Sequence, residues 1–145
     1  MSGDDPPEEA RGRSLAASAR VATLATLRTD GTPHLVPCVF VVSGDVLYTA
    51  VDRKPKRVRE LQRLRNIERD PRVALLMQHW DEDWTRLWWA RVDGVARVTT
   101  VADELATARR LLLDKYPQYR DATELDPVIA VDVQRWRVWS ASPAS

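Results

Sequence analysis

The sequence predicts a mainly β (α+β) fold: six strands closing into a small barrel with helices packed outside it. Two observations carry that expectation. Short segments rich in Val, Leu, Ala and Thr are separated by turn signals, among them Asp30-Gly31 and Ser43-Gly44-Asp45. Several of these segments are apolar on both faces, which suits a sheet closed on itself and covered by helices. No internal repeat or linker divides the 145 residues, so one domain, 1–145, is expected. The polar, proline-ended stretch 1–7 and the terminal 140–145 read as loose tails.

In chain order, an alanine- and arginine-rich segment from Glu8 to Arg20 favours a helix despite Gly12. Val21 to Leu27 reads as the first strand, and Thr29-Asp30-Gly31-Thr32 as a hairpin turn. The second strand runs from His34 to Val42, kinked or placed at a sheet edge by Pro37, whose nitrogen cannot donate to a ladder. Val46 to Val51 is the third strand and Arg72 to Gln78 the fourth, with a basic loop and helix between them. His79 to Trp84 is an acidic, aromatic loop, followed by a long strand from Leu87 to Val98 that bends at Asp93-Gly94. Ala102 to Tyr116 reads as a helix with Leu105, Leu111 and Leu112 inward, and 118–127 as a polar connection. Val128 to Trp139 supplies the last strand.

The most informative stretch is Asp52 to Met77. Between Arg53 and Arg69, the cations Arg53, Lys54, Lys56, Arg57, Arg59, Arg63, Arg65 and Arg69 stand against Glu60 and Glu68, a local excess of +6 in a chain whose total is +1. On a helical wheel Val58, Leu61, Leu64 and Ile67 slant across one apolar side, and Arg59, Arg63 and Asn66 share the opposite side. Pro71 ends the helix, because proline restricts the residue before it and brings no N–H. The plain reading is a solvated helix face packed on a sheet. The sharper reading is a phosphate site formed by Lys54-Pro55-Lys56 and the first helical turns.

Composition narrows the chemistry. No apolar run approaches the ~20 residues that span a bilayer, and the N-terminus lacks a signal-peptide pattern, so no membrane partner is expected. Cys38 is the only cysteine, which fits a reducing cytoplasm and leaves no disulfide framework. Mid-strand among Pro37, Val39 and Phe40, it reads as a small buried residue, not a nucleophile. His34 and His79 are the only histidines and have no cysteine cluster to support them, so no metal site is expected. There is no Gly-rich phosphate loop, Gly-x-Ser-x-Gly elbow or His-Glu-x-x-His pair. Asp81, Glu82 and Asp83 are adjacent loop residues that point apart, which suits solvation better than paired acid and base.

Six tryptophans accompany one phenylalanine, grouped as Trp80, Trp84, Trp88 and Trp89, then Trp136 and Trp139. In a strand Trp88 and Trp89 face opposite sides, so barrel core and dimer interface would account for them. An aromatic wall for a flat heterocycle is the functional alternative, with Trp84 best placed at the loop–strand junction. An anion grip and planar surfaces without a reactive side chain suit a protein whose bound cofactor does the chemistry. No catalytic residue is named.

The run Val21-Ala-Thr-Leu-Ala-Thr-Leu, Asp30-Gly31-Thr32-Pro33-His34, the basic loop, and Leu64-Arg65-Asn66-Ile67-Glu68-Arg69-Asp70-Pro71-Arg72-Val73 resemble the pyridoxamine 5′-phosphate oxidase-like superfamily. Lys54-Pro55-Lys56, Arg63-Leu64-Arg65-Asn66-Ile67, Asp83-Trp84 and Leu87-Trp88-Trp89 look like its actinobacterial deazaflavin-dependent branch. The resemblance covers residues from Arg20 to Val98; the last third matches only in the order of strand and helix. It implies a split β-barrel, a homodimer with cofactor sites at the subunit seam, and coenzyme F420, or in relatives flavin mononucleotide (FMN). The implied reaction is hydride transfer to a small oxidised organic substrate. The resemblance places Lys54, Lys56 and Arg57 first at the cofactor phosphate, with Arg63 and Asn66 behind them. It puts His34 and Pro37 on the strand beneath the ring and Trp84 on the flanking loop. Relatives often carry a lysine two residues before a helical asparagine–leucine pair. Here the basic loop-helix is longer, and Lys54, Lys56 and Arg63 are the candidates for that lysine's work.

A non-catalytic cofactor or nucleic-acid binder is the rival from another class, because basic helices also meet phosphate backbones. The near-neutral total charge and the lack of a recognition-helix motif argue against nucleic acid as a partner.

Overall fold

The computed structural model describes residues 6–52, 58–120 and 125–142. The elements are α1 (Pro6–Ser18), β1 (Ala22–Leu27), β2 (Pro33–Cys38), β3 (Val41–Ser43), β4 (Val46–Asp52), α2 (Val58–Arg69) and β5 (Arg72–His79). A short 3-10 turn (Trp84–Arg86), β6 (Trp88–Val98), α3 (Ala102–Lys115) and β7 (Leu125–Ser140) complete them. The seven described strands form one antiparallel sheet in the order β2-β1-β5-β6-β7-β4-β3.

That order explains the closure. β2 and β3 stand at opposite ends of the ladder, yet only Val39 and Phe40 separate them in the chain. Three peptide steps reach at most about 11 Å, so the sheet must roll until its two edges nearly meet. The barrel is joined there by the chain and not by ladder hydrogen bonds, which makes it split. Phe40 lies fully buried at the crossing, where the Tyr116 hydroxyl accepts from its N–H at 3.2 Å. Six strands were expected and seven are present, because the segment from His34 to Val42 crosses from one edge to the other. Pro33 and Pro37 sit on β2, which has β1 as its single strand neighbour, where a missing N–H costs least.

Two apolar clusters follow from the strands that bury both faces. Inside the barrel lie Leu24, Leu47, Leu75, Met77, Val92 and Ile129. Between the sheet and α3 lie Tyr48, Ala50, Leu112, Tyr116, Val128 and Ala130. Alternate residues of β4 and β7 therefore serve different clusters, as their two-sided apolar pattern requires. α1 crosses β7 so closely that a Cβ on Gly12 would lie 2.4 Å from the Trp136 ring, and Glu8 accepts from the Val138 N–H at 3.0 Å. The final strand begins at Leu125, earlier than the Val128 expected from the sequence, and runs through Pro127 to Ser140.

A polar network fastens α3 to the barrel. Glu104, in its first turn, accepts from Arg97 at 2.7 and 2.9 Å, from Thr99 at 2.7 Å and from Tyr48 at 3.0 Å. Arg97 also pairs with Asp132 at 3.0 Å. The hydrogen bonds from Arg97 and Thr99 hold the Glu104 carboxyl down at about 2, against 4.5 for a free glutamate. Burial and the Glu104 bond push the Tyr48 phenol up to about 12. A depressed carboxyl pKa stabilises the fold fully above the unfolded value of 4.5, and that contribution fades as pH falls toward about 2. Denaturant titrations between pH 6 and 2.5 should show Glu104→Gln losing less stability over this range than the parent. Equal losses would contradict the assignment.

Candidate functional site

The candidate site forms where α2 packs on β1 and Arg63 reaches the end of β2. Pairing of β1 with β2 sets Thr26 opposite His34, Leu24 opposite Val36 and Ala22 opposite Cys38, all on the inner face. Thr23 and Pro37 pair on the outer face. His34 and Pro37 thus point to opposite sides of their strand.

α2 is held down by polar side chains. Asn66 is fully buried; its Nδ2 donates to Thr26 Oγ1 at 3.0 Å, and its Oδ1 accepts from Gln62 Nε2 at 2.7 Å. One turn on, Arg69 donates to Thr29 Oγ1 at 3.2 Å and to the Leu27 carbonyl. The side expected to face solvent therefore faces the sheet at Asn66, together with Ile67. The physical reason is local: a buried amide is tolerated where every polar atom finds a partner, and Thr26 and Gln62 supply them. Asn66→Leu should lower stability by about 1–3 kcal/mol, because it strands the Thr26 hydroxyl. A stability equal to the parent's in urea unfolding would show the bond to be idle.

Arg63 lies one turn before Asn66 and lines a cleft of about 250 Å³ with Pro37, Cys38, Val51 and Tyr119. Its Nε is buried and has no hydrogen-bond partner among the described residues, and the same holds for His34 Nδ1. Burial pushes the His34 imidazole below its ordinary pKa, and the charges of Arg28 and Arg63 add to the effect. The ring is therefore neutral at pH 7. The Cys38 thiol is pushed up by burial, with Thr49 and Arg63 opposing, so it is not a thiolate at neutral pH. Arg63 and His34 thus each carry a buried nitrogen without a partner among the described residues, and the charge of the first acts on the second. An anion with oxygen acceptors satisfies the Arg63 donor, and His34 Nδ1 as well when that nitrogen carries the proton.

Trp84 stands on the 3-10 turn between β5 and β6, 66% exposed and edge-on to Trp80 at 6.2 Å. Pro37, Thr23, Leu76 and Arg91 line up across the ladder, so the loop that follows Gln78 caps the same end of the sheet as Pro37. Asp83 fixes this turn by accepting from the Thr85 N–H and hydroxyl. His79 stacks on Trp88 at 6.2 Å. The outer face of the same strands is a shallow trough of about 530 Å³, lined by Thr23, Ala25, Leu35, Ala74, Leu76 and Trp89. Leu35 is 63% exposed there.

The structure therefore brings Arg63 and Pro37 to one cleft and sets His34 on the inner face opposite Thr26. Asn66 stands behind them as an anchor, and Trp84 lies at the same sheet end as Pro37. Lys54, Lys56 and Arg57 lie outside the described residues. Tyr119 was not singled out in the sequence; it falls in a polar connection with no periodic signal, and only the fold carries it to the cleft.

The pyridoxamine 5′-phosphate oxidase family matches residues 9–140. The chain belongs to the pyridoxamine 5′-phosphate oxidase family. Among solved structures, this family member is similar to a heme-binding protein of Mycobacterium smegmatis, with a TM-score of 0.76 and 26% identity. That match covers 97% of the chain but only 57% of the mycobacterial protein. A conserved hypothetical protein of Mycobacterium tuberculosis superposes with a TM-score of 0.75 at 23% identity, covering 100% of this chain and 94% of the other. A FAD-binding protein of Mesorhizobium loti gives 0.67 at 17% identity, covering 90% of both chains. No curated protein matches the sequence. Membership in the pyridoxamine 5′-phosphate oxidase family accounts for the split barrel. No described helix is long and apolar enough to cross a membrane.

Proposed function

We propose that this chain is an oxidoreductase that binds coenzyme F420 and transfers a hydride to a small oxidised organic substrate. The observation that carries the reading is the pair of buried nitrogens without partners among the described residues, Arg63 Nε on the basic helix and His34 Nδ1 on β2. Such nitrogens are costly unless an acceptor completes them. The phosphate and acidic tail of a deazaflavin are acceptors of the right charge. When bound, the deazaflavin ring supplies the hydride, so the protein need only orient it and exclude water.

Each element has a part in this reading. Arg63 binds the anionic end. Lys54, Lys56 and Arg57 add to the positive field from the sequence between β4 and α2. Pro37 offers a rigid wall at the cleft, and Trp84 offers a planar one at the same end of the sheet. Asn66 and Thr26 hold α2 in place without touching the ligand. The apolar outer face around Leu35 and Leu76 is the seam to a second copy of the chain, giving a homodimer with the cofactor beside that seam. A reducing cytoplasm is the compartment in which such a protein would work.

FMN is the alternative ligand within the family, and the FAD-binding neighbour favours a flavin to that extent. A heme reading draws on the heme-binding neighbour and on His79, a partly exposed imidazole stacked against Trp88. One set of titrations separates the three. Coenzyme F420 should lose or shift its fluorescence at micromolar protein. A yellow protein as isolated would instead assign FMN. A Soret band formed with hemin and lost in His79→Ala would assign heme. An unchanged F420 signal overturns the deazaflavin reading.

A further inference from the structure

We propose that an anion seated against Arg63 draws a proton onto His34, so that this is a proton-linked anion site. The inference rests on the cofactor reading above for the location of the site and adds a coupling to it.

Topology brings the two groups together. His34 faces inward from β2, opposite Thr26, which carries the Asn66 bond that locks α2 above it. Arg63 is one helical turn from Asn66, on the side that turns toward the sheet. Both Arg63 Nε and His34 Nδ1 are buried without partners among the described residues. The Asn66–Thr26 bond and the Thr26–His34 pairing tie the two elements together, so each nitrogen is held in a fixed place in the fold.

Charge decides the protonation. The charged groups that bear on His34 are Arg28 from the β1–β2 turn and Arg63 from α2, both cationic. Arg28 is fixed by its bond to the Pro33 carbonyl at 2.6 Å. Cys38, two places along the inner face from Val36, is a neutral thiol, and Thr26 and Asn66 carry no charge. Asp30, in the same turn, accepts from the Thr32 N–H at 3.0 Å and hydroxyl at 2.7 Å, and its charge acts on Arg28. A proton on His34 in the free protein would thus be a third cation beside Arg28 and Arg63, the two charges that act on the ring among the described residues. An anion of two charges against Arg63 reverses that balance, and a protonated ring can then donate from Nδ1. Since the bound state holds one more proton, affinity must rise as pH falls. A shift of about one unit in the His34 pKa corresponds to about tenfold in affinity.

Sulfate is the suitable probe because its charge does not change between pH 5 and 8, unlike that of phosphate. Calorimetric or NMR titration of the full chain should give about tenfold tighter sulfate binding at pH 5 than at pH 8. With two histidines in the chain, the imidazole spectrum is simple. The His34 signal should titrate at higher pH with sulfate present than without it. His34→Gln should bind sulfate with a flat pH profile, and Arg63→Met should bind it weakly at every pH. Three results would overturn the proposal: no sulfate binding, pH-independent binding, or a pH dependence kept in His34→Gln. Should His34→Gln fail to fold, an unmoved His34 resonance in the parent overturns it equally. F420 binding with no His34 shift would sink the coupling and leave the cofactor reading intact. A sulfate-linked His34 shift without F420 binding would do the reverse.

Discussion

Arg63→Met is expected to weaken binding of coenzyme F420 by about ten- to a hundredfold and to leave the unliganded protein as stable as before, or more so. The first half follows from losing a charge-assisted contact, worth about 1.5–3 kcal/mol, at about 1.4 kcal/mol per tenfold. The second half follows from the same nitrogen. Arg63 Nε is buried without a partner among the described residues, so that nitrogen is desolvated with no hydrogen bond from them in exchange. Methionine keeps the apolar stem against Val51 and Cys38 and removes the buried polar head. A gain of 1 kcal/mol would raise Tm by about 2–4 °C in a chain of this size. A variant that binds F420 normally, or that melts well below the parent, would mean that Arg63 serves the fold instead.

Gly94→Ala should be the most damaging single methyl in the barrel, destabilising it by about 3 kcal/mol, at the upper end of the usual range for overpacking. β6 and β7 shift register between Asp93 and Gly94, and the strands come so close that an added Cβ would meet the Asp132 carbonyl oxygen at 2.6 Å. Val131 Cγ1 would lie 2.7 Å away. A backbone oxygen in a ladder cannot rotate aside as a side chain can, so the strand pair itself must move. Asp132 also pairs with Arg97, so the displacement would reach the network that fastens α3. Chemical denaturation of Gly94→Ala measures the loss directly, and a change below about 1 kcal/mol would show that the ladder gives easily.

Much of this architecture is legible in the residues. The two-sided apolar pattern of β4 and β7 follows from their serving two clusters, and the stop at Asp70-Pro71 ends α2 one residue earlier, at Arg69. The bend at Asp93-Gly94 also coincides with the observed register shift. The break between β2 and β3 is not legible. Cys38, Val39, Phe40, Val41 and Val42 form one apolar run, and periodicity does not reveal a chain stepping from one sheet edge to the other. The orientation of α2 is hidden for a related reason. A wheel ranks faces by polarity, and Asn66 is polar; its burial depends on Thr26, forty positions away in sequence. Tryptophan counts are equally mute about exposure. Trp136 is 4% exposed and Trp84 66%, because one faces α1 across the barrel wall and the other rides on a turn.

On this reading the cleft between α2 and β2 holds the anionic end of a planar redox cofactor. A crystal structure of the protein with coenzyme F420 bound tests that most directly. Phosphate oxygens are expected within hydrogen-bonding distance of the Arg63 guanidinium, with His34 beside them and the ring toward Pro37 and Trp84. Cofactor bound elsewhere, with Arg63 Nε and His34 Nδ1 still unpartnered, would contradict it.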